Sequence, residues 1–211
     1  MIFYYIEDSI TGLNIKTAYR PDQIRGLARL SGHNAGRAIA ARGAVKIVYY
    51  DTGNQDLNGN VCFIPNRTKL LCAINGATYT VLFGADTAQI TMIAGNYITA
   101  TIIQGTIKYQ AATSTGNKWQ SYNFTERNYA DIDEYFINVY VNGELWDRIE
   151  SFIDAGFDQK ACVVKTGING GIDVTFGDGK MGMIPVEGAT IYVEYIVTDG
   201  VTGNLPKQIL D

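Results

Sequence analysis

Three glycines near the C-terminus have the spacing of a phosphate-binding loop. Gly177, Gly179 and Gly182 spell GxGxxG, and the strand-like run Ile172 to Phe176 precedes them. Such a loop must lead into a helix whose N-terminus faces the pyrophosphate. Here proline and glycine interrupt the next segment, and strand alternation resumes at Ile191. The sequence therefore predicts strand, turn, strand, and no bound NAD, FAD or ATP.

Two residue pairs are predicted to close β-hairpins. Asn142-Gly143 lies between alternating apolar runs, and both residues tolerate the positive φ of a type I′ turn. Asp178-Gly179 follows a strand-like run and is interpreted in the same way. Further on, Gly203-Asn204 belongs to a glycine-rich segment through which the chain is expected to leave the sheet. These pairs, with Gly177, are the structural turn positions that the sequence indicates.

Residue types that catalyse reactions or bind metals are present without the spacing that either task needs. His33 is the single histidine, and no motif links it to a nucleophile, so we expect a loop or core histidine. The carboxylate pairs Asp131/Asp133 and Asp173/Asp178 could hold a hard cation or act as acid and base. The first pair lacks the other features of a calcium loop, and the turn explains Asp178. We expect no catalytic residue and no metal, and a metal-dependent hydrolase has little support.

Composition places the chain among globular, strand-rich proteins. It has 211 residues, 46% hydrophobic and 18% charged, enough to bury a core in one large domain or two small ones. The 23 glycines, 4 prolines and 14 tyrosines favour strands joined by glycine turns. A net charge of -4 argues against direct nucleic-acid binding, because such proteins use surplus Lys and Arg to displace phosphate counterions.

The start of the chain and its cysteines indicate a reduced compartment. The apolar run Met1 to Ile6 has no basic region and is too short for a signal peptide or a membrane span. Neither secretion nor membrane insertion is therefore expected. Cys62, Cys72 and Cys162 form neither a CxxC metal pattern nor an even disulfide set, and we expect core thiols.

Charge is distributed unevenly along the chain. Basic residues concentrate between Lys16 and Lys46, and acidic residues between Asp131 and Asp158. The basic segment could contact nucleic acid, but it lacks interleaved aromatic residues, which favours a solvated helix face or a patch for an acidic partner. The interface candidates are Arg25, Arg29, Arg37 and Trp146.

One helix is predicted to run from Pro21, whose fixed φ suits the first helical position, to Gly32. A second helical turn is predicted over Ala35 to Ala41, followed by a strand over Val45 to Tyr50. Later residues fit one side of a short helix, with an irregular strand as the alternative. These residues are Trp146, Ile149, Phe152 and Ile153.

Short β-branched or aromatic runs separated by glycine dominate the rest of the chain. The predicted fold class is mainly β (α+β), with antiparallel β-rich domains and a short N-terminal helical segment. The expected domains are the helical segment 1–43, a β-rich domain 44–130 and a C-terminal β domain 131–211 with the FGDG turn. Predicted strands include Val61 to Ile64, Leu70 to Ile74, Thr78 to Phe83, Gln89 to Ile93, Tyr97 to Tyr109, Tyr135 to Val141, Cys162 to Lys165 and Ile191 to Val197.

An ordered series of motifs in the last third resembles the baseplate J and wedge proteins of contractile-tailed bacteriophages and related injection machines. The resemblance is strongest over residues 135 to 206. Upstream, Leu30-Ser31-Gly32-His33-Asn34 and Ile64-Pro65-Asn66-Arg67-Thr68 are similar to two further family segments. The series comprises Val139 to Gly143, Trp146, Ser151-Phe152, Val163-Val164, Phe176-Gly177-Asp178-Gly179, Gly182, Pro185 and Gly203-Asn204.

The resemblance implies a structural role. Proteins of this family form a ring around the tail hub, bind one another and carry the rearrangement that triggers sheath contraction; they are not enzymes. The implied partners are other wedge subunits, further copies of this chain, and tail hub, tube or sheath-initiating proteins. The implied location is the tail baseplate of a virion assembled in the host bacterial cytoplasm.

The alternative is a carbohydrate-binding or receptor-binding β-module of a phage tail tip. The 14 tyrosines and 2 tryptophans would permit stacking on sugar rings, although aromatic residues on strands are more often core. A glycan platform needs several rings on one exposed face, whereas a wedge subunit should expose apolar strips that meet other chains.

Overall fold

The fold is mainly β, as predicted. The structure is a computed structural model, and it describes residues 16, 18, 20–33, 36–49, 61–84, 87–126, 131–167 and 169–204. Within these ranges the chain forms one α-helix, α1 (Pro21–Leu30), and a 3-10 turn at Gly200–Gly203. The strands are β1 (Arg42–Val48), β2 (Val61–Pro65), β3 (Lys69–Leu71), β4 (Thr78–Leu82), β5 (Gln89–Ile93), β6 (Tyr97–Gln104), β7 (Thr106–Thr113), β8 (Ser121–Phe124), β9 (Ile132–Val141), β10 (Glu144–Ile149), β11 (Ala161–Thr166), β12 (Ile172–Phe176) and β13 (Thr190–Val197).

Helix α1 confirms the predicted helix. Its N-terminus has Pro21 in the first turn, and Gly32 follows its C-terminus with a φ of 79°. The predicted second helical turn is wrong over the described residues 36–41, where no helix forms. Ala38 instead forms a parallel bridge with Asp133, and its carbonyl accepts a hydrogen bond from the Glu134 N–H at 2.9 Å. Pairing with a distant strand therefore overrides the local helical preference.

The chain divides into two compact units. The first unit takes in the described residues up to Ala38 and Lys108–Tyr195. Its main element is a seven-stranded sheet in the order β7-β13-β9-β10-β11-β12-β8. β10 and β11 are parallel, whereas the pairs β9/β10, β11/β12 and β12/β8 are antiparallel.

The sheet of the first unit curls so that its two edge strands lie side by side. The Gln110 amide on β7 donates to the Thr125 carbonyl after β8 at 2.8 Å. The Tyr122 hydroxyl oxygen on β8 lies 3.0 Å from the Thr113 carbonyl oxygen on β7. Inside the curl, the Trp146 and Phe176 rings meet edge to face with centroids 5.3 Å apart. The fully buried side chains around them include Ile132, Ile172, Val174, Ile191, Val193 and Tyr195.

The second unit takes in Ile39–Ile107 and the chain from Ile196 onward. It has a four-stranded sheet in the order β1-β6-β4-β3 and a ribbon of β2 and β5. Gln104 anchors its C-terminal part, because its amide donates to the Asp199 carboxylate at 2.7 Å and accepts from the Asp199 N–H at 3.0 Å. The small core consists mainly of Tyr79, Val81, Met92, Ala100 and Ile103.

Two strand predictions are corrected. The run predicted as one strand from Tyr97 to Tyr109 is broken at Gly105, whose φ is 122°. A Cβ at Gly105 would lie 2.3 Å from the Val197 carbonyl oxygen, so only glycine fits there. β7 also extends to Thr113, beyond the predicted strand end at Tyr109.

The region after Asn142-Gly143 adopts the strand alternative over its first part, whereas Phe152 and Ile153 lie beyond the strand in a turn. Trp146 and Ile149 lie on strand β10, and no helix forms between 144 and 160. Cys162 is buried, as expected of a core thiol, and burial raises its pKa to about 12. Cys62 and Cys72 are only half-buried. Within the described residues, no helix is long and apolar enough to cross a membrane.

Candidate functional site

A groove crosses the outer face of the curled sheet over β11, β12 and β8. Along β12, Ile172, Val174 and Phe176 point into the core, so Asp173 and Thr175 point outward. The strand register sets two outward rows of side chains across the three strands. These rows are Lys165, Asp173 and Asn123, and then Val163, Thr175 and Ser121.

Helix α1 forms a wall at one end of the groove. The Arg29 guanidinium makes an ion pair with Asp173 at 2.5 Å and also donates to the Thr166 carbonyl. The Asn123 amide donates to the other oxygen of Asp173. This end, the cationic lobe, encloses about 380 Å³ and is lined by Arg29, Gly32, His33, Ser121, Lys165, Asp173 and Thr175.

The other end of the groove contains an exposed tryptophan. This aromatic lobe encloses about 190 Å³ and shares Lys165 and Thr175 with the cationic lobe, so the two lobes are continuous. Its remaining lining residues are Trp119, Glu150, Ser151, Phe152 and Val163.

Trp119 has an unusual backbone conformation. Its φ is 56°, in the left-handed region that bulky residues rarely adopt. The side chain is 43% exposed, and its ring contacts the edge of Phe152 with centroids 5.3 Å apart. Its N–H donates to the Gly177 carbonyl at 3.1 Å. Strained residues of this kind cluster at ligand sites, where the surrounding structure holds them in place.

Buried Gln120 fixes the loop that carries Trp119. Its side-chain oxygen accepts hydrogen bonds from the Tyr122 hydroxyl at 2.6 Å and from the Thr115 N–H at 3.0 Å. The Ser114 hydroxyl donates to the Pro185 carbonyl at 3.0 Å, which ties the same loop to the segment after the FGDG motif. The loop that carries Trp119 is therefore fixed by the Gln120 hydrogen bonds and by its bond to the segment that contains Pro185.

The FGDG motif supports the aromatic lobe and does not close a hairpin, which corrects the sequence prediction. β12 pairs with β11 and β8, and residues 177–189 form a loop before β13. No helix follows Gly182 in that loop. A Cβ at Gly177 would lie 2.2 Å from the Met181 carbonyl oxygen, and one at Gly182 would lie 3.0 Å from the Phe152 ring. These glycines therefore let the loop pack closely beneath Phe152.

Asp178 shapes the same loop. Its carboxylate accepts hydrogen bonds from the N–H groups of Met181 at 2.8 Å and Lys180 at 2.9 Å. These bonds lower the pKa of Asp178, because they favour the charged form. Gly179 has a φ of 82°, as a turn position requires. Asp178 is thus a turn residue, as the sequence indicated.

The other predicted turn positions lie outside the groove. Asn142 and Gly143 have φ values of 51° and 82° and join antiparallel β9 and β10, which confirms that hairpin. Gly203 is buried, and its carbonyl accepts a hydrogen bond from the Tyr79 hydroxyl at 2.5 Å. Asn204, which follows, is exposed.

The predicted interface residues are corrected in part. Trp146 is only 5% exposed in the first unit, where it packs on Phe176, so it is a core residue. Arg37 is 8% exposed and pairs with Glu134 at 3.3 Å. Burial lowers the pKa of Arg37, and the Glu134 charge acts in the opposite direction.

The other two basic candidates also contact their own unit. Arg29 is half-buried and bound to Asp173, as described above. A Cβ at Gly170 would lie 3.1 Å from the Arg25 guanidinium, which places Arg25 against the β11/β12 turn. The basic segment therefore contacts residues of its own unit through Arg25, Arg29 and Arg37, and the sequence did not predict these contacts.

The carboxylates weighed from the sequence occupy separate settings. Asp133 is buried and accepts hydrogen bonds from the N–H groups of Tyr135 and Phe136. Asp173 is paired with Arg29. Within the described part of the chain, no group of three or more His, Cys, Asp or Glu side chains converges to hold a metal. His33 is exposed and lines the cationic lobe.

Three tyrosines form a row on adjacent strands of the first unit. The Tyr140 and Tyr192 rings are stacked with centroids 4.7 Å apart, and Tyr109 meets Tyr192 edge to face at 6.4 Å. Because stacked rings cover one another's faces, this row does not form the flat platform that sugar stacking needs.

Sequence reasoning did not identify Trp119, Ser121, Lys165 or Thr175 as groove residues. The one local signal was a tryptophan next to a polar Ser/Thr/Gly loop. Comparison with known proteins adds no family: the chain matches no protein-family model, and no curated protein matches it.

Proposed function

We propose that the chain is a structural subunit of a contractile-tail baseplate wedge, which assembles around the tail hub and participates in triggering sheath contraction. The ordered series of motifs over residues 135 to 206 carries this proposal. In the first unit these motifs are turn and core positions, such as the Asn142-Gly143 hairpin, buried Trp146 and the close-packed Gly177. They shape a scaffold, which is what a structural subunit needs.

Exposed apolar side chains in the second unit support an assembly role. On the β2/β5 ribbon, Val61 lies opposite Ile93, and Phe63 lies opposite Thr91. Directly opposite residues of an antiparallel pair share a face, so Val61, Phe63 and Ile93 form one apolar strip. Phe63 and Ile93 are 47% and 56% exposed. Apolar strips of this kind are typical of surfaces that meet other chains.

The β3 side of the second unit has further exposed apolar residues. Leu71 is 74% exposed and Ile74 is 62% exposed. β3 is an edge strand of the four-stranded sheet, and an uncovered edge can pair with or pack against another chain. We propose that neighbouring wedge subunits, further copies of the chain, or hub, tube and sheath-initiating proteins cover these residues in the particle.

Incorporation into tail particles tests the proposal. The chain is supplied in trans to a tail-producing host from which its own copy has been deleted, and particles are purified and probed for it. The Phe63→Asp/Ile93→Asp variant should reduce incorporation at least about ten-fold, because charges at an apolar contact oppose burial. Thr99→Asp, an added charge at another exposed strand position of the same unit, is the matched control.

The isolated double variant should melt like the wild type, since both side chains are exposed in the isolated chain. Absence of the wild-type chain from purified particles would refute the wedge role. Equal incorporation of the double variant would refute the role of the Val61, Phe63 and Ile93 strip.

A further inference from the structure

The groove on the first unit combines features that the folding of the unit does not require. It has an exposed tryptophan held in a strained conformation, a lysine that no described residue pairs with, and hydroxyl side chains on its floor. We propose that this groove binds an acidic saccharide, a sugar chain that carries carboxylate groups. The inference does not depend on the wedge role and concerns a different surface.

The aromatic lobe suits a sugar ring. Trp119 is 43% exposed at the groove, and the edge contact with Phe152 at 5.3 Å fixes the ring orientation. The bonds made by Gln120 hold its loop before any ligand arrives. An amphipathic ring held in advance loses little conformational entropy on binding. The Glu150 carboxylate and Ser151 hydroxyl beside it are suitable partners for sugar hydroxyls.

The cationic lobe suits a carboxylate. Lys165 is exposed and makes no hydrogen bond or ion pair with any described residue. Asp173 already neutralises Arg29 at 2.5 Å, and the Glu150 carboxylate lies in the other lobe, so the Lys165 ammonium is the cation of this lobe that remains for a ligand. The Ser121 and Thr175 hydroxyls, 3.1 Å apart, lie on the floor beside it. A lysine with adjacent hydroxyl donors provides charge-assisted hydrogen bonds to a carboxylate.

The position and lining of the groove favour a saccharide over an extended peptide as the ligand. Peptides that bind sheets usually add a strand at a free edge, whereas this groove lies over the faces of β11 and β12, whose backbones are paired within the sheet. Its lining alternates hydroxyls and charges around one exposed ring and offers no series of apolar pockets. From Asp173 to Gly177, level with Trp119, the groove runs for roughly 13 Å at ~3.3 Å per residue, which suits more than one sugar ring.

Tryptophan fluorescence provides a direct assay. The chain has 2 tryptophans, and Trp146 is buried, so a ligand in the groove should alter the emission of Trp119. The probes are oligogalacturonate, a glucuronate-containing oligosaccharide and sialyllactose, titrated to about 10 mM because weak single-site complexes have Kd values near 1 mM. Methyl-esterified oligogalacturonate is the uncharged counterpart, and oligoglutamate tests an acidic peptide.

We expect saturable binding of at least one acidic saccharide and at least about ten-fold weaker binding of its ester. Lys165→Gln should weaken binding about ten-fold, in line with the loss of one charge-assisted bond. Lys69→Gln removes an exposed lysine of the other unit and should leave binding unchanged. Trp119→Ala should abolish binding, monitored by ligand-observed NMR, with circular dichroism to verify folding.

Three results would overturn the proposal. The first is no saturable binding of any acidic saccharide by the wild type. The second is equal binding by wild type and a folded Lys165→Gln variant. The third is equal binding of the ester or of oligoglutamate, which would show that the groove selects neither acid nor sugar.

Discussion

The two units of the chain differ in the size of their buried cores. In the first unit many large side chains fill the curled sheet, with Trp146, Phe176 and Tyr195 at most 5% exposed, although Ile153 and Phe157 outside the strands are 80% and 70% exposed. In the second unit the core is small, and side chains as large as Phe63 and Leu71 remain exposed. A larger core can hold a groove rigidly, whereas a strip of exposed apolar side chains on one strand face is typical of a surface that meets another chain. We therefore propose ligand binding for the first unit and assembly contacts for the second.

Truncating one large aromatic residue in each unit tests this comparison most strongly. Trp146→Ala should lower the free energy of unfolding by about 4 kcal/mol, because it leaves a cavity in the core of the curled sheet. Phe63→Ala should lower it by only about 1 kcal/mol, since about half of its side chain is already exposed. Urea denaturation followed by circular dichroism measures both. Comparable losses would contradict the contrast between the units.

Two ion pairs of the first unit, one with a buried arginine and one exposed, allow their contributions to stability to be compared. Glu134→Ala should cost about 3 kcal/mol, because it leaves the Arg37 guanidinium buried without its carboxylate. Glu144→Ala removes the carboxylate of the exposed pair with Lys160 and should cost less than about 1 kcal/mol. Chemical denaturation of both variants gives the difference. Equal stabilities would show that the Arg37 contact is not a structural bond of this unit.

This buried pair also changes the expected effect of reversing the basic segment. A test of the basic interface candidates by charge reversal, with Arg25, Arg29 and Arg37 replaced by Glu, requires that the isolated fold stays intact. Because Arg37 is buried against Glu134, we now expect its reversal to unfold the first unit. Arg25→Glu alone leaves that pair intact and is the variant suited to testing charge at a partner surface.

One added methyl group tests the packing of the FGDG loop. Gly177→Ala should destabilise the first unit by about 2 kcal/mol, because the new Cβ would lie 2.2 Å from the Met181 carbonyl oxygen. Gly43→Ala on β1 of the second unit has open space around the new methyl group and should not destabilise. Thermal melts compare the two. A Gly177→Ala variant with unchanged melting would mean that the loop does not support Phe152 and Trp119 as described.

The smallest expected effect is a pH dependence in the first unit. Burial would raise the pKa of Glu126, but hydrogen bonds from Lys108 and Tyr195 outweigh it, so the pKa is lowered. The Glu126 carboxylate therefore stabilises the fold above its ordinary pKa of 4.5, and this stabilisation is lost as the pH falls through the lowered value.

Glu126→Gln should remove that stabilisation, which we expect to be under about 1 kcal/mol because Lys108 is largely exposed. Denaturation at pH 7 and pH 3 should give a larger difference between wild type and variant at pH 7 than at pH 3. Glu187→Gln, at an exposed carboxylate, is the control. A larger difference at pH 3 than at pH 7 would contradict the sign of the shift.

Features set by local chemistry were predictable from the sequence. The Asn142-Gly143 hairpin follows from two residues that accept positive φ between alternating strands. Helix α1 follows from Pro21, apolar spacing and Gly32. The mainly β class follows from short β-branched runs between glycine turns. Each of these signals lies within a few residues of the structure that it specifies.

Features set by distant contacts were not predictable in the same way. The FGDG pair looked like a hairpin turn, but the partners of β12 include β8, about fifty residues earlier. The Ala35 to Ala41 segment looked helical, but Ala38 pairs with Asp133. The groove assembles α1, β8 and the β11/β12 pair, and no short motif records that combination. A single sequence does not show which distant segments lie close together in the folded chain.

An electron-microscopy map of an intact contractile tail from a host that produces this chain tests the wedge role most directly. The wedge role predicts density for the chain in a ring around the tail hub, with the Val61, Phe63 and Ile93 strip covered by another chain over an interface of at least about 1,000 Å². It predicts the Trp119 groove open to solvent. A chain absent from the particle, or present only at the tip of a fibre with that strip uncovered, would contradict the wedge role.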